Sequence, residues 1–207
     1  MIYLYILGIL PSLIWLSFYL KKDAHPESNK MIIKIFIYGV ISGLWAIILQ
    51  KTLEKIKVGD IISTFLFGAF VEEYVKYLAV KIGVFRNSEL DEPLDLILYM
   101  IISGLGFVAL ENTLILYYRF PSVPIFDTIL FTFLRFISAT FLHALCSGVF
   151  GYFIALSFYH LKKRRIYFLK GILFVSFLHG LYNFSLRYFQ NIEKIIIPII
   201  ILIMLAI

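Results

Sequence analysis

Charged residues are scarce in this chain, since Asp, Glu, Lys and Arg make up 15% of its 207 residues. Soluble domains carry about 25% charged residues and are about half apolar. Here 61% of the residues are hydrophobic and the mean hydropathy is +0.93. These values exclude an ordinary soluble protein and predict an all-α polytopic membrane protein. They leave little room for a separate soluble domain, so we expect one transmembrane domain over 1–207.

Cysteine is nearly absent as well. Cys146 is the only one, which excludes an internal disulfide. The net charge is +6, but the basic residues cluster in short connections, as is typical of membrane-protein loops. We therefore expect the lipid bilayer, and no nucleic acid, as a partner. The motif HExxH is also missing, so any metal site must be assembled from distant segments.

Long apolar stretches predict the membrane spans, because a spanning helix needs about 20 mostly apolar residues. Six stretches qualify: 1–20, 32–50, 61–82, 94–117, 136–159 and 166–188. A seventh run, 195–207, contains Pro198 and is either a short or tilted span or a segment that does not fully cross. The apolar residues before Arg135 are expected to lie in the interface or to project beyond it. We expect a bundle of about seven transmembrane helices.

Loop charges predict the orientation. The loops 21–31 and 160–165 are rich in Lys and Arg, and such loops face the cytoplasm. Both do so if the N-terminus lies outside. The lysines of the loop 51–60 fall on the opposite side and argue against this orientation. No cleavable signal peptide is expected, because basic residues follow the first apolar stretch instead of preceding it.

Carboxylates inside the apolar stretches are the most informative feature. Glu72 and Glu73 stand side by side in the third stretch, although a carboxylate at bilayer depth costs roughly 2.5–3.5 kcal/mol. Glu111, His143 and His179 lie in the next three spans. Counted from the outer ends of their predicted spans, at a rise of about 1.5 Å per residue, these residues and the acidic pair lie at similar depths in the membrane. We expect these groups to surround a polar cavity in the outer half of the membrane.

Spacing along the helices adds further polar groups to this cavity. Lys76 follows Glu72 by four residues and Glu73 by three, so its ammonium can neutralise part of the pair. Asn183 follows His179 by four residues, which lets an amide and an imidazole face the same space.

Peptide hydrolysis is the chemistry that these groups suit. It needs an activated water, a donor for the developing oxyanion and a proton for the leaving amine. Two adjacent carboxylates in a low-dielectric cavity favour protonation of one, which makes it a candidate general base. Histidines and carboxylates on separate helices could instead bind zinc. An ion- or proton-coupled transporter and a non-catalytic membrane partner protein are the alternative functions.

Four short motifs occur in order along the third to sixth spans. They are Glu72-Glu73-Tyr-Val-Lys76, Phe107-Val-Ala-Leu-Glu111-Asn112, His143-Ala and His179-Gly-Leu-Tyr-Asn183. Together they resemble the motifs of the PrsW family of intramembrane proteases, within the superfamily of CAAX-processing and bacteriocin-immunity membrane proteases. The resemblance implies a multi-pass protease of the bacterial plasma membrane. It also implies the first, outer-side (site-1) cut of a single-span anti-sigma factor in a stress response.

The resemblance also implies roles for individual residues. The catalytic group comprises Glu72, Glu73, His179 and Asn183. The metal ligands, as an alternative to a metal-free glutamate mechanism, are Glu111, His143 and His179, with zinc as the possible cofactor. The supporting residues are Lys76, Phe107 and Asn112.

Two remaining residues receive simpler interpretations. We expect Arg135 to extend toward the outer interface, as long basic side chains near span ends do. We expect Cys146, one turn from His143, to be an inert buried thiol. Hydrolysis consumes water, so hydrophilic access is expected from the outer face through the loop 118–127 and Arg135.

Overall fold

The computed structural model describes residues 2–23, 25–120, 122–189 and 193–206. Over these ranges the chain forms seven helices and no strand. Six have the bounds Ile2–Leu20 (α1), Asn29–Leu53 (α2), Pro93–Arg119 (α4), Ile125–Tyr159 (α5), Leu161–Tyr188 (α6) and Glu193–Ala206 (α7). The remaining helix, α3, joins the segments Asp60–Ile62, Ser63–Phe70 and Val71–Val84, of which the middle one is π-helical.

The helices confirm the prediction of an all-α polytopic membrane protein. α1, α2, α4, α5 and α6 are long and apolar enough to cross a membrane. α3 coincides with the predicted third span but carries Glu72, Glu73 and Lys76. The final apolar run forms α7, a helix of 14 residues with Pro198 inside it.

α5 begins at Ile125, before the predicted span 136–159, and continues for 35 residues, so the apolar residues before Arg135 belong to the same helix. At about 1.5 Å per residue it is about 50 Å long, which exceeds the roughly 30 Å of a hydrocarbon core. A π-helical segment, Phe136–Thr140, interrupts it. A π-turn adds one residue to the turn and rotates the side chains that precede it. The side chain just before this segment, Arg135, belongs to the site described below.

α4 is the central helix, and most of its residues are buried. It packs against α1, α2 and α5. Glycines bring the backbones of α2 and α4 together: a Cβ added at Gly39 would lie 2.2 Å from the Ser103 carbonyl oxygen. A Cβ at Gly106 would lie 2.2 Å from the carbonyl oxygen of Phe36. This small-residue packing fixes the position of the helix that carries Glu111.

The loop after α1 lies against the beginning of α4. The Tyr99 hydroxyl donates a hydrogen bond to the Glu27 carboxylate, and the Ser28 hydroxyl donates to Glu89 Oε1 at 3.0 Å. Burial, together with the nearby carboxylate of Asp95, raises the pKa of Glu27 to about 7, although the Tyr99 hydrogen bond acts in the opposite direction. The charged form of Glu27 is therefore disfavoured by the fold.

Candidate active site

Polar side chains from four helices meet in the interior of the bundle. Glu73 and Lys76 come from α3, Glu111 from α4, His143 from α5 and His179 from α6. The side chains of Glu73 and Lys76 are completely buried, and the two histidines are 1–3% exposed. The predicted convergence of these groups is observed, as a packed cluster in the interior of the bundle.

Glu73 is the centre of this cluster. Its Oε1 accepts hydrogen bonds from Lys76 Nζ and His179 Nδ1, each at 2.7 Å. The pair Glu73 and Lys76 has the i,i+3 spacing of a helix-surface ion pair. Because Nδ1 of His179 donates to Glu73, the neutral ring presents a free lone pair at Nε2. That nitrogen lies 3.6 Å from Glu72 Oε2.

Lys76 connects this group to His143, since its Nζ lies 2.7 Å from His143 Nδ1. An ammonium group only donates, so Nδ1 accepts and Nε2 carries the proton of the neutral ring. Nε2 in turn lies 3.5 Å from Glu111 Oε2. The ring of Phe107 lies beneath both groups, 4.7 Å from Lys76 Nζ and 5.4 Å from the His143 ring centroid.

Arg135 points into the bundle, so the interpretation that it extends to the outer interface is wrong. Its Nη2 donates to Glu111 Oε2 at 2.6 Å, and its Nε donates to the Asn112 side-chain oxygen. Asn112 Nδ2 then donates to Thr140 Oγ1 at 3.1 Å. The physical reason is that an ionised carboxylate inside a membrane needs a cation, and the π-helical segment beginning at Phe136 leaves Arg135 on the inner side.

Glu72 differs from the other two carboxylates. Its Oε1 accepts a hydrogen bond from Gln50 Nε2 at 3.0 Å. Its Oε2 is buried without a hydrogen-bond partner among the residues the structure describes. Glu73 is paired with Lys76 and Glu111 with Arg135. Of these three carboxylates, Glu72 is therefore the one that has no Lys or Arg partner among the residues that the structure describes.

Gln50 was not identified from the sequence. It lies near the end of α2, where a single amide resembles any polar residue at the end of a membrane span. Its predicted level, the outer end of the second span, is about 15 Å from that of the acidic pair, so depth gave no signal for it. Its amide fixes one oxygen of Glu72 and leaves the other directed at His179.

Asn183 lies one helical turn after His179 but outside the buried cluster. It lines a cleft of about 230 Å³ together with Gln50, Ser63, Thr64 and Arg187, among other residues. Its side chain forms no hydrogen bond with the residues that the structure describes. The predicted catalytic amide is thus beside Gln50, at an edge of the site.

A second cleft, of about 200 Å³, lies between α2 and α4 and reaches the acidic groups. Its walls include Ala46, Leu110 and Leu114, and Glu72 and Glu111 line it as well. The Glu111 side chain is 36% exposed and that of Glu72 is 13% exposed. This cleft is the observed opening to the site. The access route predicted through 118–127 remains a prediction.

Three side chains have the spacing of a metal site. Glu72, His143 and His179 each offer one ligand atom, and these atoms all lie within 4.8 Å of one another. The set expected from the sequence had Glu111 in place of Glu72. Glu111 Oε2 accepts from Arg135 at 2.6 Å, which explains why Glu72 occupies this position.

The chemistry of the donors fits a divalent cation such as zinc. Oε2 of both Glu72 and Glu73 is a buried acceptor for which the described part of the chain supplies no donor, and a cation would satisfy such atoms. His179 is oriented through Nδ1 as metal-binding histidines are. His143 can act as a ligand only after it gives up the Lys76 contact at Nδ1 or the proton at Nε2.

Comparison with known proteins identifies the family of this chain. The family model for PrsW family intramembrane metalloproteases matches residues 27–207. Protease PrsW of Geobacillus kaustophilus is 32% identical over 182 residues, which cover 86% of this chain and 77% of that protein. Protease PrsW of Bacillus subtilis is 32% identical over 188 residues, covering 89% and 83%. That of Clostridioides difficile is 27% identical over 209 residues, covering 96% and 86%.

No solved structure matches the chain. The family match nevertheless includes every residue of the buried cluster, from Gln50 to His179. The sequence relatives cover most of the chain and carry the same name. This chain therefore belongs to the PrsW family and is an intramembrane protease.

Proposed function

We propose that this protease cuts a single-span membrane protein near the outer face of the bacterial plasma membrane, and that Glu72 activates the attacking water. The substrate class, an anti-sigma factor cut at site 1, is the one implied by the four motifs. Membership of a protease family favours this function over a coupled transporter or a non-catalytic partner.

One observation carries the assignment of Glu72. Its free Oε2 faces His179 Nε2 at 3.6 Å, and with Nδ1 of His179 donating to Glu73 both facing atoms are acceptors. Two acceptors in a buried site repel unless a proton, a water or a cation lies between them. A group that binds and releases a proton or a cation in this position is what hydrolysis requires.

In the proposed reaction, Glu72 accepts a proton from water as the oxygen attacks the scissile carbonyl carbon. The carbon–nitrogen bond then breaks, and Glu72 passes the proton to the leaving amine. Glu73 holds His179 in the required tautomer, and Lys76 compensates the charge of Glu73. The amides of Asn183 and Gln50 border the cleft and are candidate donors to the oxyanion.

Glu72, His143 and His179 would hold a zinc ion, which would act as a Lewis acid toward the scissile carbonyl. The metal-dependent and metal-free versions therefore differ in what binds between Glu72 and His179, a cation or the attacking water alone. Metal analysis of the purified protein, combined with cleavage assays with and without a chelator, distinguishes them.

The cleft between α2 and α4 supports entry of an extended peptide from the side of the membrane, because its walls are mostly apolar and the acidic groups line it. The predicted orientation, with the loop 160–165 in the cytoplasm and the N-terminus outside, puts the cluster in the outer half of the bilayer. An outer-side cut requires that position.

The test is cleavage of a single-span anti-sigma factor by the purified protein in proteoliposomes. We expect Glu72→Gln to lower the rate at least 100-fold, since general-base catalysis contributes about 10²–10⁴. Glu89→Gln, which changes a loop carboxylate, serves as the matched control and should leave the rate unchanged.

Two outcomes would count against the proposal. Cutting at the parent rate by Glu72→Gln would remove Glu72 from the mechanism. If an unrelated single-span protein with the same topology were cut equally fast, the assignment as a protease would stand. The anti-sigma factor would then be refuted as its specific substrate.

A further inference from the structure

A separate amphipathic pocket lies at the membrane face that carries the loop 160–165. We call it the α3–α6 pocket. It has a volume of about 490 Å³ and is formed by the C-terminal half of α3, the end of α5 and the beginning of α6. Volumes of this size are typical of sites for small molecules. It shares no lining residue with the clefts at Gln50.

Three cations surround the opening of this pocket. Lys81, Arg164 and Arg165 line it and are exposed, and no carboxylate is among its lining residues. In the part of the chain that the structure describes, none of the three forms an ion pair. Three like charges this close together favour an anionic ligand.

The walls of the pocket are aromatic and aliphatic. Tyr77 and Phe168 pack with ring centroids 4.9 Å apart, and Phe85 lies 5.9 Å from Tyr77. Ile154 and Leu169 complete the apolar surface. A soluble anion such as phosphate would leave these walls uncovered, whereas a molecule with an anionic head and a hydrocarbon chain would cover both parts.

We propose that the α3–α6 pocket binds an anionic phospholipid, with the phosphate among the three cations and the first part of an acyl chain against the aromatic walls. Basic pockets between transmembrane helices recognise lipid head groups in this way. The site is distinct from the protease centre, but α3 carries both, and Tyr77 lies one turn from Glu73.

The experiment is native mass spectrometry of the purified full chain with phosphatidylglycerol and with phosphatidylcholine of the same acyl chains. We expect the parent protein to prefer phosphatidylglycerol. Each cation near an anionic group adds about 1 kcal/mol, so the triple variant Lys81→Gln, Arg164→Gln, Arg165→Gln should bind this lipid about 100-fold more weakly.

A second triple variant is the matched control. Lys162→Gln, Lys163→Gln and Lys170→Gln remove the same number of exposed charges from the same face, at positions that do not line the pocket. We expect it to retain most of the affinity. An equal loss in both triple variants would show that only diffuse loop charge attracts the lipid, and would overturn the proposal.

Two further measurements separate a lipid from a free anion. Leu169→Trp keeps every charge but fills part of the pocket, and should lower lipid binding; unchanged binding would exclude the pocket as the acyl-chain site. Glycerol 3-phosphate, the soluble head group, should not displace the lipid. Its displacement of the lipid at millimolar concentration would show a phosphate site and refute the lipid assignment.

Discussion

Replacement of Lys76 by methionine tests the centre of the cluster most directly. Methionine keeps most of the length and volume of the side chain but removes the charge. Lys76 and Glu73 are both fully buried and lie 2.7 Å apart. Removal of one partner of a buried ion pair costs about 3–5 kcal/mol, because the other charge remains without compensation.

The expected loss for Lys76→Met lies toward the lower end of that range, about 3 kcal/mol. The reason is that Glu73 keeps its second partner, His179 Nδ1, at 2.7 Å, and a hydrogen bond to a charged group contributes about 1.5–3 kcal/mol. The double variant Lys76→Met, Glu73→Gln removes the uncompensated charge. It should therefore recover part of the loss, as a double-mutant cycle detects.

The measurement is the free energy of unfolding in mixed micelles titrated with a denaturing detergent. Lys51→Met, an exposed lysine on α2, is the control and should change stability by less than about 0.5 kcal/mol. Two results would refute the reasoning: a loss below about 1 kcal/mol for Lys76→Met, or a double variant no more stable than the single one.

Three further predictions concern Arg135, Gln50 and Glu27. Arg135→Met should destabilise the protein by about 1–3 kcal/mol in the same unfolding assay. Adding Glu111→Gln should reverse part of this loss, and a double variant that recovers no stability would contradict the ion pair. Gln50→Ala should lower kcat about tenfold with little change in KM, because Glu72 loses the amide that orients it. An effect confined to KM would contradict this orienting role of Gln50. The raised pKa of Glu27, about 7 against an ordinary 4.5, means that the folded state holds its proton more tightly, so stability is lost as pH rises from about 4.5 to 7. Glu27 is only partly buried, and solvent screening should keep this loss below about 1 kcal/mol. Glu27→Gln should abolish the loss in thermal unfolding measured across that range, and a variant with the pH profile of the parent would contradict the assignment.

Much of the fold could be predicted because the bilayer restricts it. Apolar length alone located α1 to α4 within three residues at each end. The apolar residues before Arg135 were expected in the interface or beyond it, without a helix start, because apolar composition does not mark where one helix leaves the membrane. The π-helical segment at Phe136–Thr140 was missed because an inserted residue in a turn leaves no compositional signal.

The convergence of Glu73, Glu111, His143 and His179 could also be predicted, since ionisable groups at equal depth in neighbouring spans have few other partners. The pairing within the cluster could not. It depends on side-chain directions, and these decided that Arg135 compensates Glu111 and that Glu72 joins the histidines. Gln50 was missed for a related reason, because a neutral amide at a span end costs too little to be noticed.

The close approach of α2 and α4 at Gly39 and Gly106 has a consequence for how a peptide reaches the protease centre. Because a methyl group does not fit between α2 and α4 at either glycine, we expect any separation of the two helices to pivot about this contact. Gln50 lies about 16 Å further along α2, so a swing of about 10° would open a gap of about 3 Å there. The glycines would thus act as a hinge, and the carboxylates of Glu72 and Glu111 line the cleft at the end that would open.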